Sequence, residues 1–442
     1  MSPYAEPTTS NDVEFNDEAV WKKRLLFVLI VGLLGRIIAA VLIERYVDNA
    51  GRQFLVEGDA NGYWELAQNI AAGKDYAIHT PPRYVLRVPG FPILLAASIK
   101  LFGNNVLAAR IVLAAVGTLC CWLTWCLGCR LHSRHVGFWA AVFVTFNPLH
   151  VGNSVLILSE TWFTLWMLLC LLALQTLFAK ATEGQSGVAN SDPDCNSSTC
   201  TWRLSMRAVI TGAIIGLTVL VRPGFLPWMG LSCLAVLFLM KRSKITKKLI
   251  CAGLVGGCFL ALLPWAARNA SVTGHWVWTS LWSGPSLYDG LNPEATGASN
   301  MTFFDEEHVM TKMSEFEMNE HYKSRAFDFA IKNPGRVATL AVRKLGMVLT
   351  PVPNFAKRKG WAIQGVCIAS WLILTVMCVW GLKSGNWDAV GLFLMAGPLL
   401  LFLLVHMVFV GSVRYRLPLE FPLAVLGAIG WQQLVYPRKG NV

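Results

Sequence analysis

Charge is what this sequence has least of. Only 14% of its 442 residues are Asp, Glu, Lys or Arg, where a soluble globular chain carries about 25%. With 55% hydrophobic residues beside it, that shortage excludes an ordinary water-soluble domain. Cysteine is missing from both long polar stretches, 44–104 and 267–360, so no disulfide framework staples them. Ten of the twelve cysteines lie in or beside apolar runs, where a thiol behaves as a small hydrophobe. Cys195 and Cys200 fall in a polar loop expected in the cytoplasm, where a disulfide does not persist. There is no Walker A sequence and no pair of C-x-x-C motifs at zinc spacing. Nucleic-acid binding is therefore left with only the net charge of +12 to support it.

That charge is distributed as membrane topology distributes it. Two runs, 361–381 and 389–410, contain no Asp, Glu, Lys or Arg, and each meets the roughly 20 residues needed to cross a bilayer. The sequence predicts an all-α polytopic membrane protein of about ten transmembrane helices, near 25–43, 105–127, 136–150, 160–179, 204–221, 224–240, 248–266, 361–381, 389–410 and 417–436. The run at 25–43 lacks a small-residue cleavage site, so it reads as a first span and not a cleaved signal. Basic clusters at 21–24, 130–135 and 241–248, with the tail YPRKGNV, all fall on one side of that arrangement. The positive-inside rule makes this side the cytoplasm. Residues 1–20 read as a disordered cytoplasmic tail and 21–266 as an N-terminal membrane module with its first outer loop at 44–104. Residues 267–360 form a second outer loop, and 361–436 the C-terminal spans.

Both outer loops are long enough to hold structure. After Asp59, Tyr63, Leu66, Ala67 and Ile70 recur at helical spacing, and RVPGFPILLAASIKLF (87–102) gives a second short apolar helix. Both are expected to lie along the outer membrane surface. Residues 305–332 read as one amphipathic helix and 333–349 as another leading back to the membrane.

Asp59 by itself reads as the cap of the helix that follows. A second acid, Glu160 in LILSETW, maps to the same outer level, although it too has a plain reading, as a helix-opening residue. The outer arginines say more. Arg222, Arg268, Arg414 and Arg416 all sit at outer helix ends, where short links should be poor in cations. Any one of them alone reads as snorkelling to headgroups. Together with Arg87 they form a cluster suited to a phosphate, because guanidinium forks pair bidentately with phosphate oxygens.

The ordered set GDANGY, RVPGFP, SE opening a helix, VRPG, PWAARN and RYRLP resembles the GT-C superfamily of polyprenyl-phosphate-sugar-dependent glycosyltransferases. The nearest branch holds protein O-mannosyltransferases and lipid A aminoarabinose transferases, and the resemblance runs from about residue 25 to 436. It implies Asp59 as general base and Glu160 as the second outer acid. It implies Arg268, Arg222, Arg414 and Arg416 as ligands of the donor phosphate, with Tyr63 and Arg87 supporting the pocket. It further implies a polyprenyl-phosphate-linked sugar as donor and a lipid, polysaccharide or protein acceptor, with hexosyl or pentosyl transfer on the non-cytoplasmic face of a bacterial plasma membrane. Two departures stand out: Ala60 follows Asp59 where many members have a second acid, and acceptor recognition falls to 267–360.

No cofactor is implied, and a divalent metal is left open. Asp192 and Asp194 form a D-x-D in a Ser/Gly-rich loop and read as chance. His308 and His321, with Asp305, Glu306 and Glu307, read as a solvated helix face before a metal site. The sequons at Asn196, Asn269 and Asn300 are short enough to arise by chance. Arg36, midway along the first span, must face the bundle interior, where an acid is its expected partner. The rival class is a secondary transporter or lipid flippase. Transporters place charge near the bilayer midplane and carry internal repeats, whereas here the acids map to outer helix ends and no repeat is evident.

Overall fold

The computed structural model describes residues 18–183, 198–352, 361–384 and 387–435. The first seventeen residues, the D-x-D loop with Cys195 and Asn196, and the tail YPRKGNV lie outside the described residues. Within those described, every long element is helical, and the extended pairing is an isolated bridge between Ile78 and Arg83.

Among the described residues, seven helices are long and apolar enough to cross a membrane: Glu18–Asn49, Val106–Leu131, Glu160–Ala181, Thr201–Val219, Lys244–Thr273, Gln364–Lys383 and Ala389–Val408. The other three expected spans are helices too, but short ones: Arg134–Phe146 and Pro227–Leu239, of 13 residues each, and Glu420–Val435, of 16. At a rise of about 1.5 Å per residue, 13 residues cover only about 20 Å of a roughly 30 Å hydrocarbon core. Of the about ten expected spans, seven are thus full-length helices among the described residues, and three are shorter helices packed among them. Local chemistry explains the shortening. Asn147 ends the first and caps the Pro148–Asn153 turn that follows. Pro223 and Pro227 delay the second. The third starts only after a 3-10 turn at Leu417–Leu419, is buried from Glu420 to Gly430, and is described as far as Val435.

Close packing without a hydrophobic drive requires small residues. The helices Ser198–Val219 and Lys244–Thr273 meet through Gly212 and Gly257. A Cβ on either would lie about 2 Å from a carbonyl of the other helix, Leu254 O or Val209 O. That contact fixes the two spans that lead to Arg222 and Arg268. Arg36 faces the interior as expected, but its partners are the carbonyls of Gly32, Thr145 and Val144 and the Cys121 sulfur, with no acid among them.

Outside the spans, the first loop folds as the helices Glu57–Ala71 and Gly90–Phe102, which pack Trp64, Ala67, Phe91 and Leu95 into one apolar cluster. The second long loop region breaks where the sequence predicts one amphipathic helix. His308 takes a left-handed backbone (φ 51), and Ser314 with Glu317 forms a capping box. The stretch is therefore three helices, Thr302–Glu306, Val309–Lys312 and Glu315–Lys332. Each half of the capping box satisfies an otherwise unpaired N–H, so the long helix must begin at Ser314. Pro334–Leu349 forms as expected. The two long loop regions clasp each other. Arg83 donates to the carbonyls of Met310 and Met313, the Glu315 carboxylate accepts from the Val85 N–H at 2.9 Å, and Leu281 N–H bonds to Val85 O.

Candidate active site

The Glu57–Ala71 helix starts two residues before Asp59, its cap position is Val56, and no side chain caps it. The Asp59 carboxylate is therefore free of the capping role and turns elsewhere. Oδ1 accepts from Arg87 Nη1 at 3.2 Å and Oδ2 from Arg414 Nη2 at 2.6 Å. Arg87 is held in turn by lying over the Tyr63 ring, 4.6 Å from its centroid, while Tyr63 packs edge-on against Phe91.

Glu160 opens its span and is wholly buried. Its Oε1 accepts from both Arg414 Nε and Arg222 Nη2, the latter at 3.0 Å. One guanidinium, that of Arg414, thus bridges the two acids, which lie 101 residues apart in sequence. Three guanidiniums face two carboxylates across this cluster, an excess of positive charge. Among the described residues, Oε2 of Glu160 and Nη1 of Arg222 are buried without a hydrogen-bond partner. Tyr415 floors the cluster, its ring under Arg222 and Arg414 and stacked on His406 at 4.2 Å.

Burial raises the Asp59 pKa, but the nearby charges of Arg414 and Arg87 outweigh it and hold the carboxyl below the usual carboxylate range. For an acid with a depressed folded pKa, the stabilising contribution is present above the unfolded value of about 3.9 and is lost as pH falls through the folded one. The stability difference between wild type and Asp59→Asn is therefore expected to stay constant from pH 8 to about pH 5 and to shrink only below the ordinary carboxylate range. Thermal unfolding in detergent across pH measures it.

Arg268 is not in this cluster. It lines a neighbouring open cavity of about 450 Å³ with Lys74, Asp75, Tyr76, Tyr84 and Val272. Its Nη1 donates to Tyr84 O at 2.7 Å and its Nη2 to Tyr76 O at 3.0 Å, between the rings of Tyr76, Tyr84 and Trp265. Tyr76 joins the two places: its hydroxyl, kept protonated by burial, donates to the carbonyls of Arg87 and Val88. Lys74 and Tyr76 carry no motif in the sequence, and the turn after Gly73 is the sole local signal there.

Arg416 is the outlier of the expected phosphate set. It is fully buried and points away from Arg414. Nε pairs with Glu420 at 2.8 Å, Nη1 serves the carbonyls of Val348 and Thr350, and the plane lies 3.6 Å from the Trp371 ring centroid. Glu420 also pairs with His150. Of the weak metal candidates, Glu307 is taken by Arg325 and Tyr322, and no group of three His, Cys, Asp or Glu converges among the described residues. The Asn269 amide is buried and donates to Val277 O.

No protein-family model matches this chain, and no curated protein sequence does either. Solved structures do. The Archaeoglobus fulgidus oligosaccharyltransferase, crystallised with a tethered acceptor peptide containing the NVT sequon, matches with a TM-score of 0.53 and 14% identity over 93% of this chain and 50% of that one. The same archaeal enzyme with an inhibitory peptide and a dolichol-phosphate gives a TM-score of 0.44 and 14% identity over 95% of this chain and 53% of that one. ArnT from Cupriavidus metallidurans bound to undecaprenyl phosphate gives 0.43 and 14% over 95% of this chain and 79% of that one. The chain shares the membrane fold of the archaeal oligosaccharyltransferase, and it spans about half that enzyme's length.

Proposed function

We propose that this chain is a membrane glycosyltransferase that moves a sugar from a polyprenyl-phosphate donor to an acceptor on the non-cytoplasmic face, with Asp59 as general base. The observation that carries the reading is the Arg414 guanidinium shared between Asp59 and Glu160. It draws two acids and three arginines from four distant parts of the chain into one half-buried cluster beside a cationic cavity. Likeness of fold to an oligosaccharyltransferase supports the same class.

In this reading the acceptor hydroxyl attacks the anomeric carbon while Asp59 takes its proton. The bond from that carbon to the phosphate oxygen breaks, and polyprenyl phosphate leaves with the electron pair, inverting the centre. Such a transfer needs a base at the acceptor and positive charge on the departing phosphate. Arg268 and Lys74, in the open cavity next to Arg87, supply that charge. Glu160 anchors Arg414, which together with Arg87 holds Asp59 in one orientation. Arg416 is left out of the phosphate set, because its guanidinium is engaged inside the bundle. The acceptor is recognised by the outer helices of 267–360, which clasp the first loop next to the site.

The deciding experiment incubates the purified protein in detergent with a panel of polyprenyl-phosphate sugars and acceptors and scores release of free lipid phosphate. Release that depends on acceptor supports the reading. Counterflow of an unmodified solute in proteoliposomes, without release, would sink it in favour of a transporter. Within that assay, Arg268→Gln is expected to lower kcat/KM for the donor by about 10- to 100-fold with most of the loss in kcat, because a charge-assisted contact worth about 1.5–3 kcal/mol strengthens as charge develops on the departing phosphate. Lys74→Gln should act in the same direction.

A further inference from the structure

Arg414 sits in a short link, and something has to hold that link still. It runs from the end of the Ala389–Val408 span to the four-residue helix Val413–Arg416. The last carbonyls of a helix have no partner within it and carry partial negative charge. Here they are met by an ammonium from another part of the chain. Lys344, on the Pro334–Leu349 helix, is wholly buried, and its Nζ donates to Val408 O at 2.6 Å, Met407 O at 3.4 Å and Gly290 O at 2.9 Å.

The contact is answered from the other end of the link. Arg416 donates from Nη1 to Val348 O and Thr350 O, both at 2.8 Å, at the close of the very helix that carries Lys344. Each helix end is thus held by a cation from the other segment. Between the clasps the link lies backbone against backbone on the Lys344 helix. A Cβ added at Gly411 would lie 2.6 Å from Lys344 O, and the Gly411 N–H donates to Gly297 O at 2.8 Å.

We propose that Lys344 and Arg416 are positioning residues that clamp the link 409–416 so that the Arg414 guanidinium is presented to Asp59 and Glu160 together. The proposal rests on Arg414 serving the transferase site described above. A buried ammonium is expensive, and hydrophobic filling would serve packing alone more cheaply. Burial lowers the Lys344 pKa to about 8, opposed by the charge of Asp289, so the ammonium keeps its proton at neutral pH. Charge here serves geometry. Gly290 belongs to the outer region 267–360, so the same ammonium fixes Arg414 relative to the surface assigned to the acceptor.

The test is a double-mutant cycle on the full-length protein in detergent, read as release of lipid phosphate. Lys344→Met is expected to lower kcat about tenfold or more with the donor KM within about twofold, and Lys344→Arg to recover most of it. In an Arg414→Lys background the same Lys344→Met change should cost less than about twofold, because the group it positions is already gone. Equal losses in both backgrounds, or an unchanged kcat in the wild-type background, overturn the proposal. If Lys344→Met does not fold, Lys344→Gln keeps two of the three N–H donors and is read in the same cycle. Full turnover in Asp59→Asn and Arg414→Lys would sink the functional reading and this inference with it. Loss in both of those with additive Lys344 effects sinks the inference alone.

Discussion

Asp59→Asn is expected to cut kcat for sugar transfer by about 10²–10⁴-fold, the range for losing a positioned general base, while the chain still folds. The substitution keeps the shape and one accepting oxygen but removes the negative charge and turns the other oxygen into an N–H donor that faces a guanidinium. Its side chain is 34% exposed, so the folding penalty is modest: Arg87 and Arg414 lose one charged partner each, and Arg414 keeps Glu160. A base held below the usual carboxylate range looks weak for an alcohol. Yet the acceptor proton turns acidic only as its oxygen bonds to the anomeric carbon, so the base must above all be ionised and aimed. The two arginines ensure the first and fix the second. Release of lipid phosphate under saturating donor measures the change. A loss confined to KM, with kcat intact, would show that Asp59 binds but does not take the proton.

How much of this was legible in the residues depends on the distance over which each feature is determined. Apolar spans are local, and the seven full-length ones could be read from composition in windows of roughly 20 residues. The short helix Arg134–Phe146 was overextended because Asn147 and Pro148 stop it inside an apolar run. Glu420–Val435 reads like a span because burial inside the bundle demands the same apolar residues as burial in lipid. Pairing Asp59 with Glu160 at one level followed from topology, but their bridge by Arg414 did not, since it needs three segments at once. The RYR stretch held an unread clue. Two residues apart on a helical turn is about 200° around the axis, so Arg414 and Arg416 must face opposite sides. Only one of them was able to join the site. Lys344 lies in a stretch, 333–349, that reads only as an amphipathic helix, and nothing nearby in sequence announces that its partners are carbonyls at 290, 407 and 408.

Arg414→Ala is expected to damage both stability and activity, and more severely than loss of any other arginine in the cluster. Glu160 is fully buried. Removing one of its two guanidinium partners leaves a carboxylate served by Arg222 alone, and breaking a buried pair in this way costs on the order of 3 kcal/mol. Asp59 loses the closer of its two partners, at 2.6 Å against 3.2 Å for Arg87, and with it the contact that ties the first outer loop to the link at 409–416. The bridging charge between the two carboxylates is then gone, which raises the Asp59 pKa and weakens the ionisation that the base requires. Transfer should fall by about 10²–10³-fold, comparable to losing a preorganised charged donor, and detergent-phase melting should drop by several degrees. Arg414→Lys separates the two effects. An ammonium restores the charge and part of the stability, but it cannot reach Asp59 and Glu160 at once as a planar fork does, so activity should stay low. Recovery of turnover by Arg414→Lys would mean that charge alone is needed there, and the bridging geometry would lose its claim to be what organises the site.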